Sequence, residues 1–287
     1  MIASSPRPRR KLPVPVDPEL GEFARAEVAR QLGGGGVTRV DALQVGIHHA
    51  VLLVTVESPP HAVVLKVAGP GDQRPVNLER TATVIALARA AGVPVPAVVA
   101  FDSSYRAGPW RYLMLEHAEG VEWRAVRPLL ADDELRAAHQ QIAHALLAIQ
   151  SVQLSSFGAV DAGPPRLDLL NALRQRADRL IVDERDRRSF AELLERDADF
   201  FVVPEQTPTL SHDDLHHGNL IFQPVRGRWQ LSGVLDWDKA WAGPAESDVA
   251  RMAFWDDMTG PGFWEVYRGA VPMMDGWENR MLIYQLL

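Results

Sequence analysis

From Leu210 to Phe222 the chain reads Leu-Ser-His-Asp-Asp-Leu-His-His-Gly-Asn-Leu-Ile-Phe. After a short polar turn, Trp229 to Trp237 reads Trp-Gln-Leu-Ser-Gly-Val-Leu-Asp-Trp. His212, Asp214 and Asn219 stand at the spacing H-x-D-x-x-x-x-N, and Asp236 ends an apolar strand seventeen residues beyond Asn219. These are the groups that phosphoryl transfer needs. One carboxylate orients and deprotonates the accepting hydroxyl, while an amide and a second carboxylate hold the Mg²⁺ that neutralises phosphate charge. A loop followed by a tight hairpin can gather three such oxygens around one nucleotide, with Asp236 expected to be buried. A metal hydrolase is the rival chemistry, because His212, Asp213, Asp214, His216 and His217 are all possible ligands. A closed zinc site needs about four ligands of suitable geometry, which sequential residues rarely supply. The remaining histidines, at 48, 49, 61, 117, 139 and 144, form no helical ligand pair. Phosphoryl transfer therefore ranks first.

The same stretch resembles the catalytic core of the aminoglycoside phosphotransferase family, relatives of protein kinases and choline kinases, which usually reads H-G-D-L-H-P-G-N and then D-W. The resemblance implies that Asp214 is the catalytic base, Asn219 a metal ligand and Asp236 the metal-binding aspartate of the D-F-G element. His216 sits where protein kinases place a lysine near the transferred phosphate, and is expected to donate a hydrogen bond there. Asp213 stands where the family usually has Gly, and His217 where it usually has Pro. Both departures bear on loop conformation and acceptor shape, so Asp213 is assigned to the substrate side. The implied fold is α+β, bilobal and protein-kinase-like, with a small antiparallel sheet lobe and a mainly helical lobe. The implied activity is Mg²⁺-dependent transfer from ATP or GTP to a hydroxyl of a small molecule. An antibiotic is the first choice of acceptor, and a choline-, sugar- or amino-acid-type metabolite the alternative. A nucleotide-binding pseudokinase regulator ranks lower, since the catalytic set is complete.

Composition narrows the setting. With 287 residues, 47% of them hydrophobic, the chain has ample material for one large domain or two. No run of about eighteen apolar residues suggests a membrane span. The chain has no cysteine, which removes disulfides and thiolate chemistry and fits a reducing, cytoplasmic setting. A net charge of −7 argues against non-specific nucleic-acid binding. Residues 1 to 16 hold four bases and no acid, whereas Ser232 to the end holds nine acids and four bases. That acidic end is expected either to be solvated surface or to attract a cationic acceptor.

These features must be positioned by the rest of the chain. Residues 1–16, rich in Pro and Arg, read as a flexible tail, 17–116 as the sheet lobe and 117–287 as the helical lobe. Asp17-Pro18-Glu19 is a helix start, with a capping carboxylate followed by Pro at the first helical position. Val37–Val45 and Ala50–Glu57 read as strands joined at Gly46, a hairpin tip that could cover phosphates with backbone N–H groups. Ala62 to Val67 places Lys66 inside an apolar strand, and a buried lysine needs a partner. Phosphate and the carboxylate of Glu79, on a helix over 76–91, are the candidates, in an order that resembles the kinase lysine–glutamate pair. Strands over 93–101 and 110–120 follow. Glu116 to Ala118 resemble the family's hinge, whose backbone receives the nucleotide base.

From Asp132 a 3.6-residue stripe predicts a core helix with His139 and His144 on its polar face. Two charged helices are expected over 166–182 and 188–201, in a region that helps to form the acceptor pocket in related phosphotransferases. Glu246 and Asp248 read as caps of the next helix. Trp255, Asp256 and Asp257 put an aromatic beside carboxylates, which suits an acceptor, although such aromatics are more often core. The sequence given stops inside an apolar helical run, Arg280 to Leu287, as if a final helix continued.

Overall fold

The structure, a computed structural model, describes residues 16–45, 50–69, 77–160, 166–201 and 206–287. Two compact units divide the chain. The first runs to Ala82 and resumes over Pro96–Ala118, and the second comprises Thr83–Val95 and Glu119–Leu287. One break falls at 118/119, two residues from the expected 116/117, and another falls within a helix, at 82/83. Residues 83–95 group with the second unit, where Val93 and Val95 are buried and the Pro94 carbonyl accepts the Val234 N–H at 2.7 Å.

The first unit is a five-stranded antiparallel sheet with one helix packed on it. Helix α1 (Pro18–Gln31) starts where Asp17 accepts the N–H groups of Glu19 and Leu20, satisfying donors that the first turn leaves open. Strands β1 (Val37–Val45), β2 (Ala50–Val56), β3 (Ala62–Ala68), β4 (Val98–Asp102) and β5 (Arg111–Glu116) pair in the order β1-β2-β3-β5-β4. Alternate positions of the central strands, among them Leu52, Val54, Val63 and Leu65, are buried with Phe23, Ala24 and Val28 of α1. This period-two burial is what their Val- and Leu-rich sequences dictate. The β1–β2 tip expected to cover phosphates, Gly46 included, lies outside the described residues, as does the tail up to residue 15. Helix α2 (Leu78–Ala90) follows β3 and matches the expected helix within two residues.

The second unit is mainly helical: α3 (Trp123–Val126), α4 (Asp132–Gln150), α5 (Leu169–Leu180), α6 (Glu184–Arg196), α7 (Glu246–Met252), α8 (Pro261–Ala270) and α9 (Trp277–Gln285). Among them lie a three-stranded sheet, β6 (Val121–Glu122), β8 (Leu220–Val225) and β9 (Arg228–Val234), and a two-stranded pair, β7 (Thr209–Ser211) with β10 (Trp241–Gly243). The charged helix expected over 188–201 starts earlier, because Asp183 accepts the Arg185 and Asp186 N–H groups and begins α6 at Glu184. On α4 the predicted stripe is buried, but His139 is not on a polar face. It is 2% exposed, its Nε2 lies 2.8 Å from the Asp257 carbonyl, and it packs where Gly260 of the α8 cap leaves room by lacking a Cβ. The α4–α8 contact closes over it. His144 is exposed. No helix among the described residues is long and apolar enough to cross a membrane.

The join between α1 and the sheet is polar. Buried Glu27 accepts hydrogen bonds from Arg30, Gln31 and the Tyr112 hydroxyl. Burial alone would raise the Glu27 pKa, but these donors hold it down at about 2. Burial and the bond to Glu27 push Tyr112 up to about 12. A carboxylate with a depressed folded pKa stabilises fully above its unfolded value, and that stability is lost as pH falls through the folded one. Tyr112→Phe is therefore expected to cost about 1–3 kcal/mol at neutral pH by leaving a buried acceptor short. In thermal melts, Glu27→Gln should flatten the loss of stability as pH falls from 4.5 towards 2.

Candidate active site

The site is a loop, residues 211–219, joining β7 to β8 and held from behind. The Asp248 carboxylate on α7 accepts the His212 N–H at 2.9 Å and the Asp213 N–H at 2.6 Å. Ser211 and Ser247 share a hydroxyl–hydroxyl bond of 3.0 Å alongside. Asp248, expected as a cap, is instead the acceptor that fixes the loop backbone. It is fully buried, and burial raises its pKa to about 6 against the pull of His212, Arg176 and Arg251. Glu246, the other expected cap, forms a two-pronged buried pair with Arg280 of α9, each oxygen 2.6 Å from a guanidinium nitrogen.

Asp213 has φ +66°, in the left-handed region that glycine occupies without strain and aspartate tolerates. This explains why a Gly-type position can carry Asp here. Its carboxylate does not face an acceptor. It is buried in an ion pair with Arg176 of α5, whose guanidinium lies 4.5 Å from the Trp241 ring.

His212 is completely buried beside Trp237, and burial lowers its pKa, so the ring is neutral near pH 7. Its Nδ1 accepts the Asp214 N–H at 3.2 Å, which puts the ring proton on Nε2 for donation to the Leu235 carbonyl at 2.8 Å. One imidazole thus ties the residue of the candidate base to the residue before Asp236. Asn219 adds a second tie: its Nδ2 donates to the Asp214 carbonyl at 2.8 Å, and its own carbonyl accepts the Leu235 N–H at 2.8 Å.

Hairpin β8–β9 does the rest. Leu220 pairs with Val234, so Asn219 and Leu235 lie opposite one another and Asp236 follows at once. Helix α4 fixes the far strand through Gln141, which accepts the Leu231 N–H at 2.9 Å and donates to the Trp229 carbonyl at 3.0 Å. Asp236 takes φ +65°, again left-handed, and is exposed rather than buried. The Asn219 amide and the Asp236 carboxylate are oxygen donors of the kind Mg²⁺ takes, one or two from protein with phosphates and water completing the shell. The hydrolase alternative fares worse. Among the described residues no three His, Cys, Asp or Glu side chains form a metal-binding group. His212 spends both ring nitrogens on backbone, and His217 Nε2 lies 2.5 Å from the Asp256 carbonyl.

Asp214 lines a cavity of about 340 Å³ together with Lys239, Arg251, Phe254 and Trp255. Its carboxylate receives Lys239 Nζ at 2.9 Å. His216 Nδ1 accepts the Gly218 N–H at 3.0 Å, leaving its proton on Nε2. Burial lowers the His216 pKa, Lys239 and Arg124 push the same way, and Asp214 and Asp236 oppose them. The imidazole is therefore a neutral donor. Trp255 covers it at 5.2 Å between ring centroids. Asp257, expected beside the acceptor, pairs with Arg127, while Asp256 is exposed. In the sheet unit Lys66 is 7% exposed, between Val51 of β2 and Leu113 of β5. Glu79 is exposed in the first turn of α2. The Glu116 N–H is used by the Ala97 carbonyl at 2.9 Å, and Ala118 is the last residue of that unit.

Sequence reasoning missed Lys239, Arg176 and Arg251. Lys239 carries a readable signal, lying three residues after Asp236 in Asp-Trp-Asp-Lys. Arg176 carries none, because it reaches Asp213 across 37 positions.

Residues 40–280 match the phosphotransferase enzyme family, and the chain belongs to it. Viomycin phosphotransferase of Streptomyces vinaceus is 31% identical over 100 residues, which cover 35% of this chain and 31% of that protein. The chain thus aligns with about a third of that relative. The GDP and kanamycin complex of APH(2")-IIia superposes with a TM-score of 0.60 at 16% identity, covering 91% of this chain and 86% of that one. An ethanolamine kinase of Plasmodium vivax does so with a TM-score of 0.50 at 15% identity, over 86% and 70% respectively. At such identities the likeness is one of fold, here protein-kinase-like.

Asp248 sets the expected pH response of the loop. Its folded pKa of about 6 lies above the ordinary 3.8, so its contribution to stability declines as pH rises between those values. Loop order runs the other way, since protonation turns an acceptor oxygen towards an N–H as a donor. Hydrogen exchange should therefore show lower protection factors for the His212 and Asp213 amides below pH 6 than above it. Asp248→Ala, which orphans both buried N–H groups, should cost about 1–3 kcal/mol for each in thermal or denaturant unfolding.

Proposed function

We propose that this member of the phosphotransferase family transfers the γ-phosphoryl group of ATP or GTP to a hydroxyl of a small molecule. The observation that carries the reading is one loop and hairpin that set Asp214 on a cavity and put Asn219 opposite Leu235, the residue before Asp236. Asp214 orients the acceptor hydroxyl and takes its proton as the new P–O bond forms and the bond to the nucleoside diphosphate breaks. His216, neutral with its proton on Nε2, donates to the transferred group. Asn219 and Asp236 hold Mg²⁺, and the ion when bound neutralises charge on the phosphates. Lys66, supported by Glu79, is assigned to the nucleotide phosphates, and the backbone of Glu116 to Ala118 to the base. Positioning and fixed charge supply most of the acceleration. The cysteine-free chain suits the reducing cytoplasm, where both nucleotides are available.

An antibiotic acceptor is supported by the viomycin phosphotransferase stretch and by the fold shared with a kanamycin-binding kinase. A small metabolic alcohol is the second reading, supported by the fold shared with an ethanolamine kinase.

Asp214→Ala is expected to lower kcat by roughly 10²–10⁴, as for loss of a general base, while nucleotide still binds. Near-normal turnover in that variant would reject the assignment. Asp236→Ala should abolish the Mg²⁺-dependent part of nucleotide binding in calorimetry run with and without metal, and unchanged metal dependence would remove Asp236 from the metal site.

A further inference from the structure

We propose that the acceptor is a hydroxylated acid with a flat apolar body, its carboxylate held by Arg251, and not a polycation. The proposal rests on reading the Asp214 cavity as the acceptor's side of the reaction. Sequence composition suggests the opposite, because this end of the chain is rich in carboxylates. The structure shows how those carboxylates are committed. Asp213 is paired with Arg176, Asp214 with Lys239, Asp257 with Arg127, Glu246 with Arg280 and Glu265 with Arg136. Asp248 is spent on two backbone N–H groups.

The cavity wall is different. Its charged groups are Asp214, Lys239 and Arg251, one anion against two cations. Lys239 is matched by Asp214. Arg251 gives Nε to the Asp213 carbonyl at 3.4 Å and Nη2 to the backbone oxygen of Leu287, the last residue of the sequence given, at 3.3 Å. Among the described residues no Asp or Glu side chain forms an ion pair with Arg251, although its charge pulls on the buried Asp248 carboxylate. A guanidinium oriented by two backbone oxygens, with donors remaining, suits a planar carboxylate. An acceptor ammonium entering here would meet two cations before it met the one carboxylate, which already holds an ammonium.

The apolar part of the wall points to a flat partner. Phe254 and Trp255 are 56% and 44% exposed and stand next to each other on the cavity wall, so they offer one apolar surface for a ligand to cover. An aromatic cage for a quaternary ammonium would also use such rings. Here one Trp255 contact is already taken by neutral His216, and Lys239 and Arg251 share the cavity, so a ring or conjugated plane fits better than a cation.

Three ligands with one ring and one primary hydroxyl separate the cases: para-hydroxymethylbenzoate, its methyl ester and para-aminomethylbenzyl alcohol, with kanamycin as the polycation. Binding is read by ligand-detected NMR or calorimetry, and phosphorylation by mass spectrometry with ATP or GTP and Mg²⁺. The acid is expected to bind roughly ten-fold or more tightly than the ester, the gain of a hydrogen-bonded charge, and the amine more weakly than either. Arg251→Gln should bring acid and ester to parity, whereas damage to the loop alone would weaken all ligands and leave their ratio unchanged. Equal or tighter binding of the amine or kanamycin, no binding of the acid, or an unchanged ratio in Arg251→Gln overturns the proposal. Selective binding of the acid with no phosphate transferred to any ligand would instead count against the kinase reading and leave the binding proposal standing.

Discussion

One buried carboxylate holds the chemistry in place. The loop from Ser211 to Asn219 has a left-handed residue at Asp213, a conformation no regular element supplies, so its backbone N–H groups find no ladder. Asp248 accepts two of them inside the protein. The cost of burying that carboxylate shows in its raised pKa, and the two N–H bonds and the nearby Arg176 and Arg251 offset part of it. Without the acceptor, two donors would be stranded in the core, which is the more expensive half of any hydrogen-bond exchange. Arg176 then locks the side chain of Asp213, and Arg251 touches its carbonyl, so a single strained residue is held from three directions. Asp214, next in the chain, inherits that rigidity.

The second constraint is register. Strand side chains alternate faces, so a slip of one residue between β8 and β9 would shift Asp236 relative to Asn219. The pairing is secured at both ends. Gln141 bonds the backbone of β9 at Trp229 and Leu231, and the His212 imidazole bonds Leu235 just before Asp236. His212 is therefore a structural tie rather than a proton carrier. Its buried, neutral ring holds loop and hairpin to each other, so that the candidate base and the two candidate metal donors are parts of one hydrogen-bonded unit.

Much of this was legible beforehand because local rules decided it. Strands β1 to β3 follow from β-branched alternation, α1 from the Asp17-Pro18 start, and the catalytic loop from the spacing of His212, Asp214 and Asn219. What could not be read depends on contacts made after folding. Asp248 looks like a helix cap because caps are the commonest use of an early-helix Asp, and only the placement of β7 beside α7 makes it a loop acceptor. His139 looks like a polar-face residue because α4 is amphipathic. It is buried because Gly260, 121 positions later in the chain, leaves space for an imidazole. The start of α6 was a readable miss, since Asp183 stands one residue before it with a cap-competent side chain.

Charge shows most clearly how composition and site can disagree. The chain carries −7, and its last third is the most acidic part. A count of this kind describes the field at a distance, and that field is screened within about 10 Å at ordinary salt. At contact range the relevant quantity is which charges lack partners. Most of the acids near the loop are taken by arginines from elsewhere in the chain, and the cavity beside Asp214 is lined by two cations, Lys239 and Arg251. An approaching cation can be attracted by the surface as a whole and still find no seat beside Asp214. Steering and binding are separate steps, set by different charges. On that ground the acceptor is better inferred from the five side chains that line the cavity than from the acidity of the segment that contributes most of them.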